Sequence, residues 1–151
     1  MPIDLKKHIV DALNEVAELW AKDLRAHRDP EIATPMSPTA RSVADLTYET
    51  ILVNRRFAAR LRGEAPPSMD GFPAAPEGLR TGAALADAMR ESIDGIVAAY
   101  DDPEREIPAT GGGTVTAFEL CGFAITHSYY HLGQVDYVQT VYGDTEVHWM
   151  A

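Results

Sequence analysis

Four stretches in which apolar residues recur every three or four positions constrain this chain more than any other feature, because that period belongs to amphipathic helices. In the first, Leu5, Ile9, Ala12, Leu13, Val16, Leu19, Trp20 and Leu24 alternate with charged residues until Arg28-Asp29-Pro30 ends the pattern. The second carries Val43, Leu46, Thr50, Val53, Phe57 and Leu61. Its predicted start is near Ser37-Pro38, a cap residue followed by a first-turn proline, and Gly63 stops it. The third runs from about Thr81 to Asp101 on Leu85, Met89, Ile93, Ile96, Val97 and Tyr100, with Pro103 closing it. The fourth opens on Thr116 and Glu119, which form a capping box, and reaches Tyr142-Gly143.

What lies between these stretches decides how they are joined. Residues 64–80 include Pro66, Pro67, Gly71, Pro73, Pro76 and Gly78, too proline-rich for a helix or an inner strand. The segment is also long for a loop in a compact domain. A crossover that runs the length of a bundle and joins two parallel helices accounts for both properties. Residues 105–116 predict a short extended or hairpin connection turning on Gly111, Gly112 and Gly113. The triple glycine lacks the Lys-Ser/Thr of a phosphate-binding loop, so it reads as a plain turn. The expected architecture is therefore all-α: one domain spanning 1–151, an up-down-down-up four-helix bundle with a long crossover between its second and third helices.

Composition narrows the classes of partner. With 151 residues, 46% of them apolar, the chain can bury a core without covalent staples. A net charge of −10, from 23 acidic and 13 basic residues, opposes binding to a phosphate backbone or an anionic membrane. The one basic cluster, Arg55, Arg56, Arg60 and Arg62, is expected to pair with nearby acids on a solvated face. No apolar run approaches the roughly 18 residues of a spanning helix, and the N-terminus has no stretch of signal-peptide length. The lone cysteine, Cys121, excludes an intramolecular disulfide and suits a reducing compartment, so a cytoplasmic location is expected, with the thiol buried and inert.

Chemistry concentrates in Thr126-His127-Ser128-Tyr129-Tyr130-His131-Leu132-Gly133-Gln134. Two histidines four apart on a helix stand one above the other, and their nitrogens can converge on one ion. The alternative is a pair hydrogen-bonded to neighbours. His131 falls within the apolar arc of its helix, with Cys121, Ala124, Ser128, Val135 and Tyr142, and His127 falls at its edge. The pair is thus expected to face the bundle interior or a cleft beside it. In the expected topology the second helix runs antiparallel to the fourth, and its midpoint lies near Glu49, at the depth of the histidines. A carboxylate there is either a surface residue or the third corner of a two-histidine, one-carboxylate site. Tyr130 and Gln134 flank the histidines and are placed to support them. His8 and His27, without a paired ligand, are expected at the surface. His148 belongs to the tail from Thr145 to Ala151, which is expected to be disordered or packed on the surface.

His127-Ser-Tyr-Tyr-His131-Leu-Gly133-Gln134 resembles the HxxxHxGQ motif near the last helix of the DinB-like family, the damage-inducible and YfiT-like metal proteins. The run from Ser42 to Glu49, followed by Asn54 and Leu61-Arg62-Gly63, resembles that family's second-helix motif. The resemblance extends over essentially the whole chain, including helix order, crossover and the Gly-Gly-Thr-x-Thr turn. It implies a divalent transition metal, zinc or nickel with iron as a further choice, held by Glu49, His127 and His131. The family usually has a histidine where Glu49 stands, so this ligand set is harder and one charge less positive. The resemblance further implies thiol-dependent transferase or isomerase chemistry with a low-molecular-weight thiol of the bacillithiol, mycothiol or glutathione type. Metal-assisted hydrolysis is the second enzymatic reading, and a non-enzymatic bundle binding a small molecule or partner is the third. A homodimer is implied as well, with Tyr142 and Trp149 offering apolar surface.

Overall fold

The structure is a computed structural model describing residues 3–148. Its elements are α1 (Leu5–Ala26), α2 (Asp29–Ala33), α3 (Val43–Leu61), α4 (Gly82–Ala99), the strands β1 (Glu106–Pro108) and β2 (Thr114–Thr116), and α5 (Ala117–Val141). Among the described residues the chain is mostly helical. Each long helix begins where a side-chain oxygen meets a free backbone N–H: Asp4 accepts from Lys7, Ser42 from Asp45, Thr81 from Ala84 and Thr116 from Glu119. At α5 the capping box closes in both directions, with the Thr116 N–H donating to Glu119 Oε2 at 2.7 Å.

Two boundaries differ from expectation. The helix predicted from Ser37-Pro38 starts at Val43 instead, capped by Ser42. Ser37 caps only a turn, accepting the Ala40 N–H at its hydroxyl and its carbonyl. Ser42 prevails because Val43 and Ala44 directly after it are already in the core. Before this, α2 takes Pro30 into its first turn, so the residues expected to end one helix also begin a short second one.

Contacts between the long helices fix their directions. Arg90 of α4 reaches Asn14 and Glu18 of α1, while Arg25 pairs with Asp87, so α1 and α4 are antiparallel. Asn54 bonds Ser92 and Arg55 pairs with Glu91, while Ala58 lies beside Gly95; α3 and α4 therefore run parallel. Phe57 meets Phe123 and Glu49 meets His127 and His131, so α3 and α5 are antiparallel. The crossover between α3 and α4 is tied down where Asp45 Oδ1 accepts the Ala75 N–H at 2.8 Å. At its far end Gly82 is pressed against α1: a Cβ there would overlap the Leu24 carbonyl oxygen.

The core is built largely from the predicted stripes, though Ile51, outside them, is fully buried, while Leu5 is exposed and Val53 only half-buried. Leu13, Val16, Trp20 and Leu24 of α1, Ile51 and Leu61 of α3, and Leu85, Met89, Ile93 and Ile96 of α4 are buried with Cys121 and Val135 of α5. The β1–β2 pair is antiparallel, with Ile107 opposite Val115, and its turn uses Gly112 and Gly113 at φ of 94° and 77°. No described helix is long and apolar enough to cross a membrane.

Candidate metal centre

Glu49 sits in the middle of α3 on its buried side, its side chain 8% exposed. Its helical neighbours Thr47 and Thr50 direct their hydroxyls to the carbonyls of Val43 and Leu46, so both are satisfied within the helix. Across the interface, His127 and His131 lie one turn apart on α5 with their rings edge-on and centroids 4.6 Å apart. Glu49 Oε1 faces both imidazoles, at 3.9 Å from His127 Nε2 and 3.6 Å from His131 Nε2. One donor atom from each of the three residues lies within 4.8 Å of the other two, and no other such group occurs among the described residues.

The surroundings prepare these donors. His131 Nδ1 bonds Gln134 Oε1 at 2.8 Å. Since an amide oxygen only accepts, Nδ1 carries the proton and Nε2 keeps its lone pair toward Glu49. Burial lowers the His127 pKa, and nearby His131 lowers it further against the opposing pull of Glu49, which favours the neutral, ligating imidazole. The Phe123 ring stacks on His127 and meets Phe57 edge-on, while the Tyr130 ring stands edge-on to His131. Arg41, just before α3, pairs through Nη1 with Glu49 Oε2 and donates from Nη2 to the Asp45 carbonyl at 2.7 Å.

Ligand atoms about 2.0–2.1 Å from a tetrahedral ion stand roughly 3.3 Å apart. The 3.6 and 3.9 Å separations exceed that by only a few tenths of an ångström. Two imidazoles and a carboxylate form a donor set suited to divalent transition ions, so the residues fit such a group. A groove of about 390 Å³ is lined by Met36, Leu46, Tyr137 and Val138 with Arg41 and Gln134, the two residues that also contact the triad.

Other sequence expectations fared differently. His8 is exposed, as expected, but His27 is buried, at 6% exposure. The chain turns back into α2 directly after α1, and this folds His27 beneath Glu31 and against Val135 and Asp136 of α5. Burial lowers the His27 pKa, opposed by those acids and by Asp144. One turn earlier on α1, Asp23 is fully buried, a placement that the sequence did not reveal. Burial raises its pKa to about 8, reinforced by the Asp136 carboxyl, with which it can hydrogen-bond only through a shared proton. Cys121 is buried as expected, and burial pushes its thiol up to about 12. Of the arginine cluster, Arg55 and Arg62 pair with Glu91 and Glu64, whereas Arg56 and Arg60 bond the carbonyls of Pro67 and Pro108. His148 folds back onto Asp144 at 2.8 Å, and Trp149 lies outside the described residues. Arg41 was missed entirely; it lies in an irregular segment without a motif.

Comparison with known proteins agrees with this fold. The chain is similar to a DinB-like protein from Bacillus cereus ATCC 10987, with a TM-score of 0.72, 14% identity and coverage of 91% of this chain and 92% of that one. It is also similar to a conserved protein from Enterococcus faecalis, with a TM-score of 0.70, 17% identity and coverage of 95% of this chain and all of that one. These likenesses establish a shared fold. No curated protein sequence matches the chain. The family model of the DinB superfamily matches residues 38–135, which include α3, the crossover, α4 and the histidine pair, and on that match the chain belongs to the DinB superfamily.

Proposed function

We propose that this protein binds one divalent transition ion, zinc, nickel or iron, through Glu49, His127 and His131, and uses it in thiol-dependent transfer or isomerisation. The observation carrying this reading is the convergence of Glu49 Oε1 with the two imidazole Nε2 atoms. The reading takes residues 1–151 as one domain, an up-down-down-up four-helix bundle, which the helix directions support. A bound ion with open coordination positions would lower the pKa of a water or thiol and so supply a nucleophile at neutral pH. Burial favours the neutral imidazole of His127, Gln134 orients the His131 ring, and the Phe123 ring stacks on His127. The adjoining groove, mostly apolar with Arg41 and Gln134 at its polar end, suits a small organic substrate. The lone buried Cys121 is compatible with work in the reducing cytoplasm.

Calorimetric titration with zinc and nickel tests the site. One ion per chain is expected for the wild type, with binding retained in Glu49→His. Absence of binding by the wild type would leave a ligand-binding bundle as the function.

A homodimer completes the proposal, through a different surface from the one expected. Tyr142 donates its hydroxyl to the Thr34 carbonyl, so its polar end is engaged within the chain. The outward face of α5 instead exposes Phe123, Tyr130, Tyr137 and Val141 at 52–64%. Between Glu119 and Tyr142 the only acidic or basic residue other than histidine is Asp136. A surface helix apolar on both faces calls for a partner. Tyr137→Lys should shift the light-scattering mass from dimer to monomer; an unchanged mass would place any dimer elsewhere.

A further inference from the structure

Glu49 divides its carboxylate between two neighbours. Oε1 faces the two imidazoles, and Oε2 is held by Arg41. The guanidinium is itself fixed, by its bond to the Asp45 carbonyl and by the Phe72 ring, whose centroid lies 5.0 Å from Cζ. Asp45 in turn holds Ala75, so the crossover straps Arg41 in place. The Arg41 side chain is 28% exposed and that of Glu49 only 8%, which leaves the pair weakly screened.

This geometry has a consequence for the choice of ion. A carboxylate with one oxygen engaged by a guanidinium offers an ion only the other. Its charge is also offset, so the two imidazoles with the Glu49–Arg41 pair sum to zero formal charge. Calcium and manganese favour oxygen-rich, charged sites and accept bidentate carboxylates, whereas zinc draws strongly on imidazole and needs only four ligands. We propose that Arg41 is a positioning and selectivity residue: it keeps Glu49 a one-oxygen ligand of reduced charge and so biases the site toward zinc-like ions over manganese and calcium. The inference rests on the metal reading of Glu49, His127 and His131.

Removing Arg41 should therefore strengthen binding of the disfavoured ion, an outcome that general disruption of the site would not produce. Zinc affinity would be measured by competition with a chromophoric chelator, and manganese affinity by the paramagnetic resonance signal of free Mn²⁺. For Arg41→Gln the manganese Kd should fall about tenfold, and the zinc-over-manganese preference should narrow about fivefold. Arg41→Lys keeps the charge but lacks the planar fork, so its preference should fall between those of the wild type and Arg41→Gln; it also carries the test should Arg41→Gln fail to fold. Wild type that binds neither ion would overturn the metal reading, and this inference with it. Wild type that binds zinc, with variants unchanged or weakened for both ions, would overturn the role of Arg41 alone.

Discussion

Two buried polar clusters meet α5, and they answer the same problem in opposite ways. At the α3 junction, Glu49, His127 and His131 turn their donor atoms toward one point. At the α1 junction, Asp23 in the last turn of α1 and His27 just past its end lie against Asp136 without such convergence. Asp23 is held against the Asp136 carboxyl, and His27 lies against the Val135 backbone, so their polar atoms turn to separate partners. The first cluster has supports, Gln134 on one histidine and Arg41 on the carboxylate. In the second, burial drives Asp23 toward its protonated form. Burial of polar side chains alone does not bring donor atoms together; convergence needs lone pairs that share a target and surrounding groups that hold them there.

The sharpest way to break this contrast is to remove one histidine from each cluster. His131→Ala should weaken zinc binding at least 100-fold, about 2.7 kcal/mol, while His27→Ala leaves it within about twofold. Equal losses would mean that the clusters form one site or that neither is local.

Asp23→Asn tests the other side. The folded pKa of Asp23 is raised to about 8 from an ordinary 3.8, so between those values the folded chain binds more protons than the unfolded one. Stability should therefore fall as pH rises across that window and level off above it, with a limiting slope of about 1.4 kcal/mol per pH unit for one proton. Asparagine stays neutral and should remove a loss on the order of 4 kcal/mol between pH 5 and 8, read from urea unfolding at several pH values. Parallel pH profiles for variant and wild type would show that Asp23 is not the titrating group.

Which parts of this were legible in the sequence follows from how local their causes are. The HxxxH pair, the Thr116–Glu119 box and the stop at Gly63 depend on residues within a turn or two, and the structure has them where the pattern put them. Glu49 required one step more, matching depth on a neighbouring helix. His27 was illegible because the chain turns back into the five-residue α2 beside it, and Asp23 because it packs on Asp136 of α5, far away in sequence. Arg41 was illegible because its partners Glu49 and Phe72 are joined only by the path of the crossover.

Two smaller effects refine the comparison. Gln134→Ala should weaken zinc binding about tenfold, or 1.4 kcal/mol, by freeing the His131 ring, with little change in thermal stability. A loss of stability without loss of affinity would make Gln134 a packing residue. Metal binding should also change little between pH 8 and 6.5, by about threefold or less, because the lowered His127 pKa delays proton competition to more acidic solution. A tenfold fall over that range would mean that a ligand histidine titrates above the ordinary value.

The rigid helix joining the two clusters also sets where this chain can change length. His127, His131 and Asp136 share a single α5, so one residue inserted between Cys121 and His127 would rotate all three by about 100° and shift them by about 1.5 Å relative to Cys121. Neither Glu49 nor Asp23 could follow. The turn at Gly111 to Gly113 is the opposite case: a side-chain carbon at any of the three would meet nothing within 4 Å. Related chains should therefore gain and lose residues freely at that glycine turn, while a single-residue insertion between Cys121 and His127 would abolish both clusters in one event.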